Sequence, residues 1–103
     1  MDSTSSKNII VVYQDRDDPE LFTVRVYSPK KYYAKHQTTI VVRFHMILGG
    51  KNLQFSSVEE AAMKMRMTFP DYDVFYHVGD YLNYYLTFPE EILDDETVFR
   101  KVS

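Results

Sequence analysis

The order of apolar and polar positions divides this chain into short alternating runs and one helical stretch. Asn8–Tyr13 is a β-branched run of strand length. Leu21–Tyr27 alternates with period two, which predicts a strand with Phe22, Val24 and Val26 toward a core and Thr23, Arg25 and Tyr27 outward. The alternation resumes over Thr38–Leu48. Ile40, Val42, Phe44, Met46 and Leu48 form one face there, and Thr39, Val41, Arg43, His45 and Ile47 the other. Gly49-Gly50 reads as a tight turn, because glycine accepts positive φ, and Lys51–Phe55 as a short returning strand. Asp73–Val78 and Tyr81–Phe88 read as two further strands joined in a hairpin at Gly79-Asp80.

Helical spacing replaces alternation after Phe55. Ser56 with Glu59, or Ser57 with Glu60, makes a capping box, and the helix runs to about Thr68 because Pro70 disfavours helical geometry at Phe69. Val58, Ala61, Ala62, Met65 and Phe69 share one apolar face. Met63 and Met67 lie one turn apart on the other side, beside Lys64 and Arg66. They suit an interface with another molecule, or burial beneath Ile92, Leu93, Val98 and Phe99. Pro89 followed by Glu90-Glu91 predicts a short C-terminal helix with acids in its first turn. The order β-β-β-β-α-β-β gives a single α+β domain over residues 8–103, mainly an antiparallel sheet packed by one central helix. Residues 1–7 read as a disordered polar leader.

A chain of 103 residues is long enough to bury one core without staples. Cysteine is absent, which rules out disulfides, thiolate metal sites and a cysteine nucleophile within it. The N-terminus lacks the apolar stretch of a secretory signal, and no apolar run approaches the ~20 residues of a membrane helix, so a soluble cytoplasmic protein is expected. Nine tyrosines and seven phenylalanines, without tryptophan, offer broad rings that serve either a core or a contact surface.

Charge changes the picture more. Residues 21–68 carry eight cations against two anions, and residues 69–103 two cations against eight anions. The overall charge of −3 conceals this polarity. The basic part holds Lys30, Lys31, Tyr32, Tyr33, Lys35 and His36 in one short segment, with Arg25, Tyr27, Arg43 and His45 on neighbouring outward positions. Cations interleaved with aromatics can pair with phosphates and stack on bases, and the same pattern also describes a solvated loop beside a polar sheet face. The acidic part offers Asp71, Tyr72, Asp73 and Asp80, with the Glu90–Glu96 cluster, to a basic partner, or to solvent.

Chemistry is sparse. His36, His45 and His77 sit in no metal-ligand spacing, Asp15, Asp17 and Asp18 lack the glycine and terminal glutamate of a calcium loop, and Gly49-Gly50 lacks a phosphate-binding continuation. No cofactor and no metal are expected. The reading that fits best is a small non-enzymatic protein-binding module, of the kind an accessory or inhibitor protein of a virus or mobile element would be. The alternative is a single-stranded RNA- or DNA-binding domain using the basic-aromatic face. The third is a His-dependent, metal-independent ribonuclease, which needs histidines to converge. Pairing of basic and acidic faces between copies would make a homodimer.

Overall fold

The computed structural model describes residues 7–33, 39–78 and 86–102, the side chains of 50–52 excepted. These form strands β1 (Ile9–Gln14), β2 (Phe22–Tyr33) and β3 (Ile40–Phe55), helix α1 (Val58–Thr68), then β4 (Asp73–His77), β5 (Thr87–Pro89) and β6 (Phe99–Val102). A 3₁₀ turn over Glu90–Asp94 stands where the short C-terminal helix is predicted, entered from Pro89. The six strands make one sheet in the order β5-β3-β2-β1-β4-β6. Every pairing is antiparallel except β1 with β4. A parallel pair needs a crossover, and α1 lies on the segment that makes it.

Both faces of this sheet are core. On one, Ile10, Val12, Val24, Val26 and Val74 pack against Ala61, Ala62 and Met65 of α1. On the other, Ile9, Val11, Tyr27, Phe44, Phe88 and Phe99 form a second buried cluster, flanked by Ile92, Leu93 and Val98. The unbroken apolar run of β1 follows from its central place, where alternate residues feed opposite clusters. Helix α1 begins as its capping residues dictate. Ser57 Oγ accepts from the Glu60 N–H at 3.0 Å, and Glu60 Oε1 accepts from the Ser56 N–H at 3.0 Å. Near its other end Arg66 donates to the Val102 carbonyl and ties α1 to β6.

Three sequence expectations are corrected. Gly49-Gly50 does not reverse the chain, because Ile40–Gly49 and Gln54-Phe55 both pair with β2 in the same antiparallel sense. The segment between them is an irregularity in a continuous strand, opposite Val24. Glycine leaves room for its neighbours at 49: a Cβ there would lie 3.1 Å from Met46 Sδ and 3.3 Å from Arg25 Cγ, so both side chains would have to shift by a few tenths of an ångström to admit one.

Next, β4 and β5 are not hairpin partners. Residues 79–85, including Asp80, lie outside the described residues, but both edges of β4 are taken, by β1 and β6, and β5 pairs with β3.

Lastly, the two apolar parities do not share one face. The pairs Tyr33–Ile40 and Tyr27–Met46 set the odd positions of β2 beside the even positions of β3. Ile47 is left unpaired between Met46 and Leu48, a bulge that returns Leu48 to the α1 side opposite Val26.

Candidate functional site

Strand β1 pairs with β2 only as far as Tyr27, whereas β2 and β3 remain paired to Tyr33 and Ile40. Strand β5 supports β3 only at Arg43–His45. Beyond Lys30 and Arg43 the sheet is therefore a two-stranded ribbon, and the molecule measures 46 × 26 × 23 Å along its principal axes. Its outer part carries exposed apolar surface, with Tyr33 at 75% exposure, Ile40 at 47% and Tyr32 at 40%, beside exposed Lys30 and Lys31. Pro29 stands just past the end of the β1 pairing, where a missing N–H breaks no ladder with β1.

The ribbon has two chemically distinct faces. Ser28, Lys30 and Tyr32 share the α1 side with Val41, Arg43 and His45, while Pro29, Lys31 and Tyr33 share the other with Ile40, Val42 and Phe44. On the polar face Tyr32 Oη lies 2.6 Å from His45 Nε2, and His45 Nδ1 lies 3.4 Å from Thr87 Oγ1. In the tautomer with its proton on Nδ1, His45 accepts from Tyr32 and donates to Thr87, linking β2, β3 and β5. The apolar face continues into the buried cluster through Phe44.

The predicted basic set is thus divided. Lys30, Lys31, Tyr32, Tyr33, Arg43 and His45 belong to the ribbon, while Lys35 and His36 lie outside the described residues. Tyr27, expected outward, is fully buried, with its ring 4.9 Å from that of Phe88 in an edge-to-face contact. Arg25 is held against Tyr13, its Nε donating to the phenol oxygen at 3.2 Å and its guanidinium 4.8 Å from the ring centroid. Burial, opposed by Arg25, raises the pKa of Tyr27. For Arg25, burial lowers the pKa but is outweighed by hydrogen bonds and charge interactions with Tyr27 and Tyr13, which leave it raised. A continuous stacking platform across β2 and β3 is not formed, because Arg25 and Tyr27 occupy the face opposite Arg43 and His45.

The predicted acidic set is broken up as well. Tyr72 is half-buried, stacked on Phe69 at 4.7 Å, and its hydroxyl accepts from Asn8 Nδ2 at 3.0 Å. Asp73 is paired with Lys7 at 3.4 Å and Lys101 at 3.9 Å, and Asp71 alone of the described three is exposed and unengaged by ion pairs. Carboxylates gather instead around an open cleft of ≈ 770 Å³, where Glu90, Glu91, Asp94 and Glu96 face Arg100 and Lys101.

Met63 and Met67 are exposed at 58% and 79%. Ile92, Leu93, Val98 and Phe99 pack on the other face of the sheet and leave them uncovered. His45 and His77 lie on β3 and β4, with β2 and β1 between them, and the His77 ring packs 5.4 Å from Phe99. Thr87 and Ile40 escape a sequence reading as site residues: one becomes a neighbour of His45 only through the β3–β5 pairing, and the other alternates like a core residue. Among the described residues no helix is long and apolar enough to cross a membrane. Compared with protein-family models, curated proteins and solved structures, the chain matches none.

Proposed function

We propose that this domain is a non-enzymatic binding module that uses the β2–β3 ribbon to contact another protein. The observation that carries this reading is the concentration of Tyr33, Ile40 and Tyr32 at the far end of a ribbon that needs none of them for the core. Exposed aromatic and aliphatic side chains, with Lys31 beside Tyr33 and Ile40 on one face and Lys30 beside Tyr32 on the other, fit the centre and rim of a protein contact. Pro29, Lys30 and Lys31 discourage the addition of a further strand, so recognition is by side chains. The partner surface is apolar with an acidic border, complementary to a segment of 38 residues, 21–58, in which no carboxylate occurs. Affinity purification at two salt concentrations, with and without nuclease, tests it. Capture that survives nuclease and is lost in a Tyr33→Ser, Ile40→Ser variant supports the reading, and capture unaffected by those changes overturns it.

A second reading, single-stranded RNA or DNA on the same ribbon, draws on that carboxylate-free segment. It predicts binding that nuclease removes and that weakens steeply with salt. Burial of Tyr27 takes away one of its stacking rings, and the net acidity of the rest of the chain repels phosphates from the body of the domain.

A further inference from the structure

Lys30 and Arg43 are directly opposed in the β2–β3 ladder, and both side chains lie on the polar face of the ribbon. Like charges facing each other across a ladder destabilise it. Among the described residues neither side chain is held by an ion pair or hydrogen bond. Tyr32 belongs to the row beyond this pair and His45 to the row before it, yet the phenol and imidazole meet at 2.6 Å. Their hydrogen bond therefore spans the row that carries the two cations. Thr87 adds a hydroxyl beside the imidazole. Two uncompensated cations, two hydroxyls and a histidine on one three-stranded surface form a donor-rich patch.

We infer that this patch is a site for a phosphate group, either free phosphate or the phosphorylated side chain of a partner protein. Arg43 can offer parallel N–H donors to two oxygens, Lys30 a point charge, and Thr87 its hydroxyl proton, while the Tyr32–His45 hydrogen bond fixes the imidazole that holds Thr87. A tetrahedral dianion uses more of these than a planar carboxylate does. The neighbouring rows on this face, Ser28–His45 and Tyr32–Val41, add no further lysine or arginine. One pair of cations suits a single phosphate group better than a long polyanion, which needs a track of them. The inference rests on the protein-binding reading only for the source of the group, since the anion is tested with no partner present.

The test is an NMR titration of the full chain with inorganic phosphate at constant ionic strength. A phosphoserine peptide, its unphosphorylated form and a mixed-sequence oligonucleotide are run in parallel. Saturable shifts of the His45 and Arg43 side-chain signals are expected, with affinity reduced about tenfold or more in a Lys30→Gln, Arg43→Gln variant. Lys7→Gln, which alters a cation paired with Asp73 on the body, leaves the affinity unchanged. Because the double variant relieves like-charge opposition, it unfolds at the same or a higher denaturant concentration, which separates lost binding from lost fold. Tighter binding of the phosphopeptide than of phosphate names a phosphorylated partner, and equal binding names the free anion. Shifts that do not saturate, that persist in the double variant, or that the oligonucleotide produces far more tightly than the phosphopeptide overturn the inference.

Discussion

The rings of Phe88 and Phe99 lie 5.4 Å apart, although they belong to β5 and β6, the two outermost strands of the sheet. Edge strands of a flat six-stranded sheet would stand about 24 Å apart at the usual strand spacing. The contact therefore measures how far the sheet curls. The 3₁₀ turn and the residues after it connect the two edges directly, and both rings are almost wholly buried. Phe88 also stacks on Phe44 at 5.6 Å and meets Tyr27 edge-on, so the contact anchors the base of the ribbon as well as the closing segment.

Removing either ring should loosen the whole domain. Phe88→Ala and Phe99→Ala are each expected to lower stability by about 3–5 kcal/mol, the usual cost of emptying a buried phenylalanine site. Because the rings touch, the double variant should cost less than the sum of the single ones, by about 0.5–1.5 kcal/mol. Denaturant unfolding of the four proteins checks this, and strict additivity would contradict the curled geometry.

Much of the local structure was legible because it follows from short-range rules. Helix α1 ends at Thr68 as Pro70 and its apolar spacing require, and its start is set by Ser57 and Glu60. What alternation could not reveal was which apolar face meets which. Phe44 and Val24 both alternate as core residues, yet they point into different clusters, because the ladder pairs Tyr27 with Met46. That register is a long-range fact, and it carried Tyr27 inward and left Ile40 outside. The ribbon's cations were visible as a Lys/Tyr segment with Arg43 nearby. The direct opposition of Lys30 and Arg43, and the place of Thr87 beside His45, depend on strand pairings that no local pattern encodes.

The helix cap gives a smaller, local test. Ser57→Ala removes the acceptor for the Glu60 N–H and should cost about 1 kcal/mol, with Glu60→Gln milder because it keeps an oxygen for the Ser56 N–H. Thermal unfolding at neutral pH separates the two. Equal losses would mean that the carboxylate charge near the helix dipole matters as much as the serine acceptor.

Tyr27 makes an alkaline prediction with a definite sign. Burial raises its folded pKa above the ordinary tyrosine value of about 10, so the folded state holds the proton more tightly than the unfolded chain. The stability this contributes is fully present below about pH 10 and is lost as the pH rises through the folded value. Unfolding midpoints measured from about pH 8 to 11.5 should therefore fall steeply at the upper end. Tyr27→Phe should start about 1 kcal/mol lower, through loss of its interaction with Arg25, and fall less steeply. Parallel curves would show that other tyrosines govern the transition.

The ribbon's far end should separate binding from folding. Tyr33 and Ile40 are cross-strand partners, and both are exposed, so little apolar area is removed from water by keeping them in place. Tyr33→Ser with Ile40→Ser should therefore move stability by no more than about 0.5 kcal/mol per site, with a small additional loss from the aromatic–β-branched pair. If the pair exists for a partner, the same change should weaken capture by about tenfold or more, since each side chain would sit near the centre of the contact. Lys31→Gln on the same face should act mainly on the association rate and on its salt dependence, as rim charges do. Surface-bound kinetics at two salt concentrations, run beside urea unfolding of the same proteins, read both quantities. A loss of stability comparable to that of Phe88→Ala would show that the ribbon's end is core after all. Unchanged kinetics with unchanged stability would move the contact surface to Met63 and Met67 on α1.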